Sequence, residues 1–165
     1  MSSDEFVVTP WHVEGDIDYD KLIKQFGTQK ISNDLLSKLQ KITGEDHFKL
    51  RRGVFFSHRD LNLILENYEK GQEFFLFTGR GPSGHTHIGH LVPWVFAKWL
   101  QDKFNVNLYF QLTDDEKFFA KQDLSLTQTT NFALENALDF IALGFKPDKT
   151  KIIINTKHIK TLYPI

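Results

Sequence analysis

The sequence predicts an α/β protein, with a parallel β-sheet in the second half of the chain and a mostly helical N-terminal extension. Short helical patterns with capping residues fill the chain up to about residue 72. From Glu73 onward, strand patterns alternate with helix patterns, which is typical of a parallel sheet with covering helices. Between Phe74 and His90, a glycine-rich loop joins an apolar strand to a helix.

The composition limits the classes of protein to which the chain can belong. With 165 residues, 41% hydrophobic and 25% charged, it is long enough to bury a core and indicates neither disorder nor a membrane span. A net charge of −1 provides no overall basic field for nucleic acid, although a local patch could still contact RNA. The absence of cysteine excludes disulfides, and the N-terminus shows no secretion signal, so a cytoplasmic location is expected.

The N-terminal extension, predicted as residues 1–72, combines an apolar arm with short helices. Within the arm, the apolar and aromatic residues from Glu5 to Val13, around Pro10 and Trp11, predict a short strand or hairpin. Three helices are then predicted, each from a polar residue that caps its start and a glycine that ends it. They run from Asp18 to Gly27, from Ser32 to Gly44, and from a capping box at Ser57–Asp60 to Gly71.

The second region, predicted as residues 73–165, shows a strand–helix–strand–helix–strand pattern. The predicted strands are Phe74–Phe77, Asn107–Leu112 and Lys151–Ile154; the helices are His87–Phe104, a short one opened by a Thr113–Glu116 capping box, and Thr127–Leu143. The continuous apolar run at Phe74–Phe77 predicts a strand buried on both faces. Two right-handed crossovers give a Rossmann-like parallel sheet. Three strands make half of such a sheet, so we expect an N-terminal portion of a larger protein.

The loop from Gly79 to Gly84 matches the pattern G-x-G-x-x-G, which by itself indicates dinucleotide binding. Two features disfavour a dehydrogenase. Pro82 and the residues after Gly84 make the loop longer than the tight turn that places a pyrophosphate on a helix. The acidic residue after the second strand, Asp114, follows by about 30 residues, whereas the fingerprint requires about 20.

His87 and His90 are the sharper signal. At spacing i and i+3 they share one face of the helix at its first turn. Gly89 between them has no side chain, which lets a flat ring lie close to the backbone. The helix N-terminus favours a phosphate, and two imidazoles could donate to oxygens whose charge grows in phosphoryl or nucleotidyl transfer. Two incidental surface histidines are the alternative, which the preceding strand and loop disfavour.

The residues HIGH at positions 87–90 resemble the signature of the class I aminoacyl-tRNA synthetases. The longer segments TPWHVEGDIDYDKLIKQFGT, RRGVFFSHRD, FTGRGPSG, HIGHLVPW, KWLQ and QLTDDEKF are similar to tryptophanyl-tRNA synthetases of the archaeal and eukaryotic type. The similarity extends from about Phe6 to Lys160. It implies that residues 73–165 are the first half of a class I catalytic domain.

The resemblance implies an ATP-dependent ligase that activates L-tryptophan to tryptophanyl-adenylate and transfers it to tRNA(Trp). ATP would enter with Mg²⁺ as a co-substrate, with no tightly bound cofactor and no protein metal site. A homodimer is implied for full-length members. The second class I signature, which is KMSKS-like, does not occur in this sequence, so the 165 residues alone should lack full activity. A tyrosyl-tRNA synthetase and a truncated, non-catalytic module that binds a nucleotide or a partner are the alternatives.

The resemblance also assigns roles to individual residues. The ATP-binding positions are Arg80, Gly81, His87, Gly89 and His90, and the catalytic positions are His87, His90 and, as a candidate phosphate contact, Lys117. The tryptophan-binding positions are Phe77, Gln111 and Glu116. Phe77 stands where many relatives have tyrosine, so the hydroxyl near the indole nitrogen is lost. The arm Val7–Gly15, around Trp11, resembles the family's segment that closes over the active site.

Overall fold

The computed structural model describes residues 18–164 and the two short strands β1 (Val7–Val8) and β2 (Val13–Glu14). These strands pair in antiparallel orientation, as a hairpin arm requires. Trp11 and its neighbours lie outside the described residues. The chain divides into two compact units, of which the first ends at Asn67 and the second begins at Tyr68.

The first unit consists of short helices and one further strand pair. Its elements are α1 (Tyr19–Gln25), β3 (Gln29–Lys30), α2 (Asn33–Thr43), α3 (Phe48–Arg51), β4 (Ser57–His58) and α4 (Leu61–Glu69), which extends into the second unit. Asp18 and Ser32 cap α1 and α2 as predicted, because each side chain accepts a hydrogen bond from a backbone N–H of the first turn. The predicted stop at Gly44 is also confirmed, with a left-handed φ of 78°.

The predicted capping box at Ser57–Asp60 is wrong. Ser57 and His58 instead form β4, which pairs with β3 in antiparallel orientation. The ring of His58 caps α4, since its Nδ1 accepts a hydrogen bond from the Leu61 N–H at 3.2 Å. A strand pairing between residues distant in sequence therefore overrides the local capping pattern.

The second unit contains a three-stranded parallel sheet with the order β5–β6–β7. Its elements are β5 (Leu76–Arg80), α5 (Ile88–Phe104), β6 (Leu108–Leu112), α6 (Asp114–Ala120), α7 (Leu126–Ile141), a 3-10 turn (Pro147–Lys149), β7 (Thr150–Ile154) and α8 (Asn155–Leu162). This confirms the predicted α/β fold with a Rossmann-like parallel sheet. Among the described residues, no helix is long and apolar enough to cross a membrane.

Aromatic side chains fill the core between the sheet and helices α5 and α7. Phe110 of β6 and Phe140 of α7 stack with their ring centroids 3.7 Å apart. Trp94 of α5 contacts both rings edge-on, at 5.3 and 5.6 Å, and is 1% exposed. Edge-to-face and offset contacts of this kind stabilise aromatic pairs beyond the apolar area that they bury.

Strand β5 differs from the prediction that it is buried on both faces. It begins at Leu76, two residues later than predicted, and its exposure alternates along the strand. Phe75 and Phe77 are each 61% exposed. Because side chains in a strand alternate between the two faces, Leu76 packs towards the core while Phe77 lies on the opposite, open face of the sheet.

Gly79 in β5 provides a test of the sheet's register. A Cβ at this position would lie 2.3 Å from the backbone oxygen of Gln111 in β6, which a rigid strand pair cannot accommodate. Gly79→Ala should therefore lower the free energy of unfolding by about 1–3 kcal/mol in urea titrations. Gly84→Ala is the matched control, since its Cβ would meet nothing within 4 Å. Equal stability of the two variants would contradict this close approach.

Candidate functional site

The candidate site lies at the carboxyl ends of the three parallel strands. Strand β5 ends at Arg80, β6 ends at Leu112 and β7 ends at Ile154, and the register places these ends side by side. In open α/β sheets, ligands bind at this edge. Residues 81–87 connect β5 to α5 there, which confirms that the glycine-rich loop is longer than a dinucleotide-binding turn.

Arg80 stabilises the conformation of the loop formed by residues 81–87. Its guanidinium donates hydrogen bonds to the Thr86 hydroxyl at 2.8 Å and to the carbonyl oxygens of Gly84 and His85 at 3.1 and 2.8 Å. Burial lowers the pKa of Arg80, and Asp139 acts in the opposite direction. The side chain is therefore a structural cation beneath the loop rather than a solvated loop arginine.

Asn136 of α7 supports the same loop, and the sequence analysis missed it. Its Nδ2 donates to the Gly84 carbonyl at 3.2 Å, and the residue is fully buried. A signal was present in the sequence, because an amide beside Ala133 and Ala137 stands on the apolar face of an amphipathic helix. Buried amides of this kind usually have hydrogen-bond partners; the loop provides one for Nδ2, while Oδ1 accepts no hydrogen bond from the described residues.

His87 and His90 cap helix α5 reciprocally. His87 Nδ1 accepts a hydrogen bond from the Gly89 N–H at 3.2 Å, and His90 Nδ1 accepts one from the His87 N–H at 3.1 Å. The ring centroids lie 3.8 Å apart. Since both Nδ1 atoms accept, the proton of each neutral ring resides on Nε2. Each ring thus keeps an N–H donor beyond the cap.

The environment keeps His90 neutral near pH 7. Burial lowers its pKa below the ordinary value of 6.5, and the charges of Arg80 and His87 lower it further. Gly89 provides the room for this arrangement, because a Cβ there would lie 3.0 Å from Cε1 of the His87 ring. The ring that lies against Gly89 in the structure is that of His87.

Phe77 and Gln111 lie on the open face of the sheet. The register pairs Gly79 with Gln111, and Phe77 stands two residues before Gly79 on the same face. Because Gly79 has no side chain, β5 presents on this face the exposed phenyl ring of Phe77 beside the Gln111 side chain of β6. This arrangement fits a planar apolar group with one polar atom.

Glu116 and Lys117 stand at the start of α6, close to the loop. Glu116 accepts hydrogen bonds from the Lys117 amine and the Thr113 hydroxyl, both at 2.8 Å, and these bonds lower its pKa. Thr113 thus donates to the Glu116 carboxylate instead of capping the helix backbone, so the predicted capping box is wrong in its hydrogen bonds. Lys117 lies over the loop, where a Cβ on Gly81 would come within 1.8 Å of its Cε.

Two further residues support the site from the end of β7. Asn155 accepts a hydrogen bond from Gln111 Nε2 at 2.8 Å, and Thr156 donates its hydroxyl to Asp114 at 2.6 Å. Sequence analysis missed both residues. Their position directly after a strand, at the carboxyl edge of the sheet, is the signal that could have identified them.

Asp114 and Asp115 have structural partners at this edge. Asp114 is fully buried and accepts hydrogen bonds from Thr130 and Thr156, while Asp115 accepts one from Asn155. Within the described part of the chain, no group of three or more histidine, aspartate or glutamate side chains could hold a metal ion.

A family model described as tRNA synthetases class I (W and Y) matches residues 69–164. The chain is 57% identical over 162 residues to the tryptophan–tRNA ligase of Saccharolobus solfataricus, which covers 98% of this chain. The match spans 43% of that relative, so the chain corresponds to less than half of the relative's length.

Solved structures show the same similarity. The tryptophanyl-tRNA synthetase of Plasmodium falciparum superimposes with a TM-score of 0.85 at 45% identity, covering 90% of this chain and 43% of that one. The tryptophanyl-tRNA synthetase of Encephalitozoon cuniculi, solved with bound tryptophan, gives a TM-score of 0.85 at 41% identity and covers 89% of this chain and 44% of that one.

Proposed function

Because this chain belongs to the class I tRNA synthetases of the tryptophan and tyrosine family, we propose that it carries the ATP- and tryptophan-binding half of a tryptophan–tRNA ligase. One observation carries the proposal. The two capping imidazoles of α5 stand at the same sheet edge as the open face with Phe77 and Gln111. The proposed nucleotide site would thus adjoin the proposed binding face for a planar amino acid.

In the proposed reaction, the tryptophan carboxylate attacks the α-phosphorus of ATP. One carboxylate oxygen forms a bond to phosphorus, and the bond from phosphorus to pyrophosphate breaks. The Nε2–H donors of His87 and His90 would stabilise the charge that develops on the phosphate oxygens, because the N–H groups of His87 and Gly89 already donate to the two imidazoles. Mg²⁺ would enter bound to the phosphates of ATP, as part of the co-substrate.

The amino acid would lie against the open face of the sheet. The Phe77 ring would contact the indole, and the Gln111 carbonyl would accept its N–H. Glu116 would neutralise the ammonium group of the substrate, because its lowered pKa keeps the carboxylate ionised at neutral pH. Lys117 stands beside Glu116 and over Gly81, within reach of a phosphate bound along the loop.

The remaining parts of the proposed function involve the protein beyond these residues. Transfer to tRNA(Trp) and assembly as a homodimer are proposed from the relatives, which are more than twice as long as the matched segment. A cytoplasmic location is proposed as well, since a chain without cysteine is suited to a reducing compartment.

Amino-acid-dependent exchange of pyrophosphate into ATP tests the proposal. The complete gene product that contains these residues should exchange pyrophosphate with L-tryptophan and not with L-tyrosine. The 165 residues alone should show little or no exchange, because they lack a KMSKS-like sequence. Exchange that depends on tyrosine, or none with either amino acid in the complete product, would contradict the proposal.

A further inference from the structure

Gln111 is the first member of a hydrogen-bond chain that joins three polar side chains, those of Gln111, Asn155 and Asp115. Its Nε2 donates a hydrogen bond to Asn155 Oδ1 at 2.8 Å, and Asn155 Nδ2 donates to Asp115 Oδ1 at 2.8 Å. Asp115 is held in turn by the backbone N–H of Glu116, at 2.9 Å from the same carboxylate oxygen. These hydrogen bonds link the end of β6 to the residue after β7 and to the first turn of α6.

The Asp115 carboxylate fixes which group donates and which accepts in each of these hydrogen bonds. An ionised carboxylate only accepts hydrogen bonds, so Asn155 must turn its NH₂ group towards Asp115 and its oxygen towards Gln111. Gln111 must then turn its own NH₂ group towards Asn155. Its carbonyl oxygen, Oε1, is the atom left for a ligand, and no residue in the range 18–164 donates a hydrogen bond to it.

The Gln111 side chain lies on the sheet face where the amino acid is proposed to bind. Gly79 is its neighbour in register on β5, and Phe77 lies on the same face of that strand. Phe77 is 61% exposed and has no hydroxyl group. In the pair formed by Phe77 and Gln111, the glutamine amide is therefore the only group that can accept an indole N–H.

We propose that Asn155 and Asp115 are positioning residues that select for an indole N–H by holding the Gln111 amide with its oxygen towards the substrate. The inference rests on the proposed function, because it concerns the amino acid that the site activates. An indole N–H only donates, so the held amide matches it, whereas a reversed amide would set donor against donor. Leaving such a pair unsatisfied costs more than losing a hydrogen bond to water.

Two substitutions separate this role from a general effect on folding. Asp115→Ala removes the carboxylate that accepts from Asn155, so the Asn155 amide can turn over and the hydrogen-bond chain loses its fixed direction. Asn155→Leu removes both hydrogen bonds and leaves Gln111 free to rotate. The matched controls are Asp123→Ala and Asn131→Leu, whose side chains are exposed outside the proposed site.

The measurement compares two substrates in pyrophosphate exchange by the complete gene product. They are L-tryptophan and β-(3-benzothienyl)alanine, in which sulfur replaces the indole N–H. In Asp115→Ala and Asn155→Leu, the ratio of kcat/KM for tryptophan to that for the analogue should fall about tenfold, mainly through KM for tryptophan. The controls should leave the ratio unchanged.

The outcomes distinguish this inference from the function on which it rests. Wild-type protein that does not activate tryptophan would overturn the proposed function, and that result appears before any variant is made. If the wild type activates tryptophan, an unchanged ratio in both variants would overturn the positioning role alone. Equal losses for both substrates would do the same, because a purely structural role lowers both activities together.

Discussion

His90→Ala should lower tryptophan-dependent pyrophosphate exchange by about 100-fold or more. The imidazole is proposed to donate from Nε2 to the phosphate oxygens, and removal of one preorganised donor to a developing oxyanion typically costs a factor of 100 to 1,000 in kcat, about 2.7–4 kcal/mol. The change should appear in kcat rather than in KM for tryptophan, because the interaction strengthens in the transition state.

His85→Ala is the matched control for His90→Ala. His85 stands in the same loop, its side chain is 80% exposed, and it pairs with Glu135 at 3.0 Å rather than with the helix cap. It should retain nearly full exchange. Because His90 also accepts the His87 N–H, His90→Ala should lose about 1 kcal/mol of stability through the cap. A rate loss no larger in His90→Ala than in His85→Ala would exclude a catalytic role for His90.

The lowered pKa of His90 adds a dependence on pH. Its neutral form is favoured in the folded protein, so the associated stability is fully present above pH 6.5 and is lost as the pH falls through the folded pKa. Protonation of Nδ1 would also remove the hydrogen bond that this atom accepts from His87. The wild type should lose more stability than His90→Ala when urea titrations are repeated at decreasing pH below 6.5.

Asp114→Ala should produce the largest loss of stability among the polar residues at the sheet edge. The carboxylate is fully buried and accepts from the Thr130 hydroxyl at 3.0 Å, from the Thr156 N–H at 3.1 Å and from the Thr156 hydroxyl at 2.6 Å. These bonds join α6 to α7 and α8. Hydrogen bonds to a charged group contribute about 1.5–3 kcal/mol each, so we expect a loss of about 3 kcal/mol or more.

Urea titrations of graded variants would test this expectation. Asp114→Asn retains one carbonyl oxygen and should fall between the wild type and Asp114→Ala. Asp123→Ala, at an exposed position after α6, should change the free energy of unfolding by no more than about 0.5 kcal/mol. If Asp114→Ala were as stable as Asp123→Ala, the three hydrogen bonds would not hold the helices together.

Most of the fold could be predicted from the sequence because its signals are local. The capping residues Asp18 and Ser32, the stop at Gly44 and the helix that begins after His87 all depend on contacts within one helical turn. The errors arose where distant strands decided the outcome. Ser57 joined a strand pair instead of capping a helix, and Phe77 was left on an open face despite its apolar neighbours.

In the candidate site too, residues close together in sequence were predicted, and residues whose contacts are distant in sequence were missed. His87, Gly89 and His90 lie within four consecutive positions, so their spacing alone predicts the shared helix face, whereas the reciprocal cap is seen in the structure. Asn136 and Asn155 lie 52 and 44 residues from Gly84 and Gln111, their respective hydrogen-bond partners. No periodic pattern reports such a contact, since it exists only after the helices and strands have packed.

The sequence by itself determined the α/β class, the order of the elements and the histidine pair, because each depends on residues close together in the chain. Only the tertiary structure decided which face of β5 is open and which way the Gln111 amide points. It also decided that Arg80 donates its hydrogen bonds to the loop that follows β5. The physical reason is that the direction of a hydrogen bond depends on its partner. The carboxylate of Asp115, the helix α7 under the loop and the edge of β7 are brought to these groups only by folding.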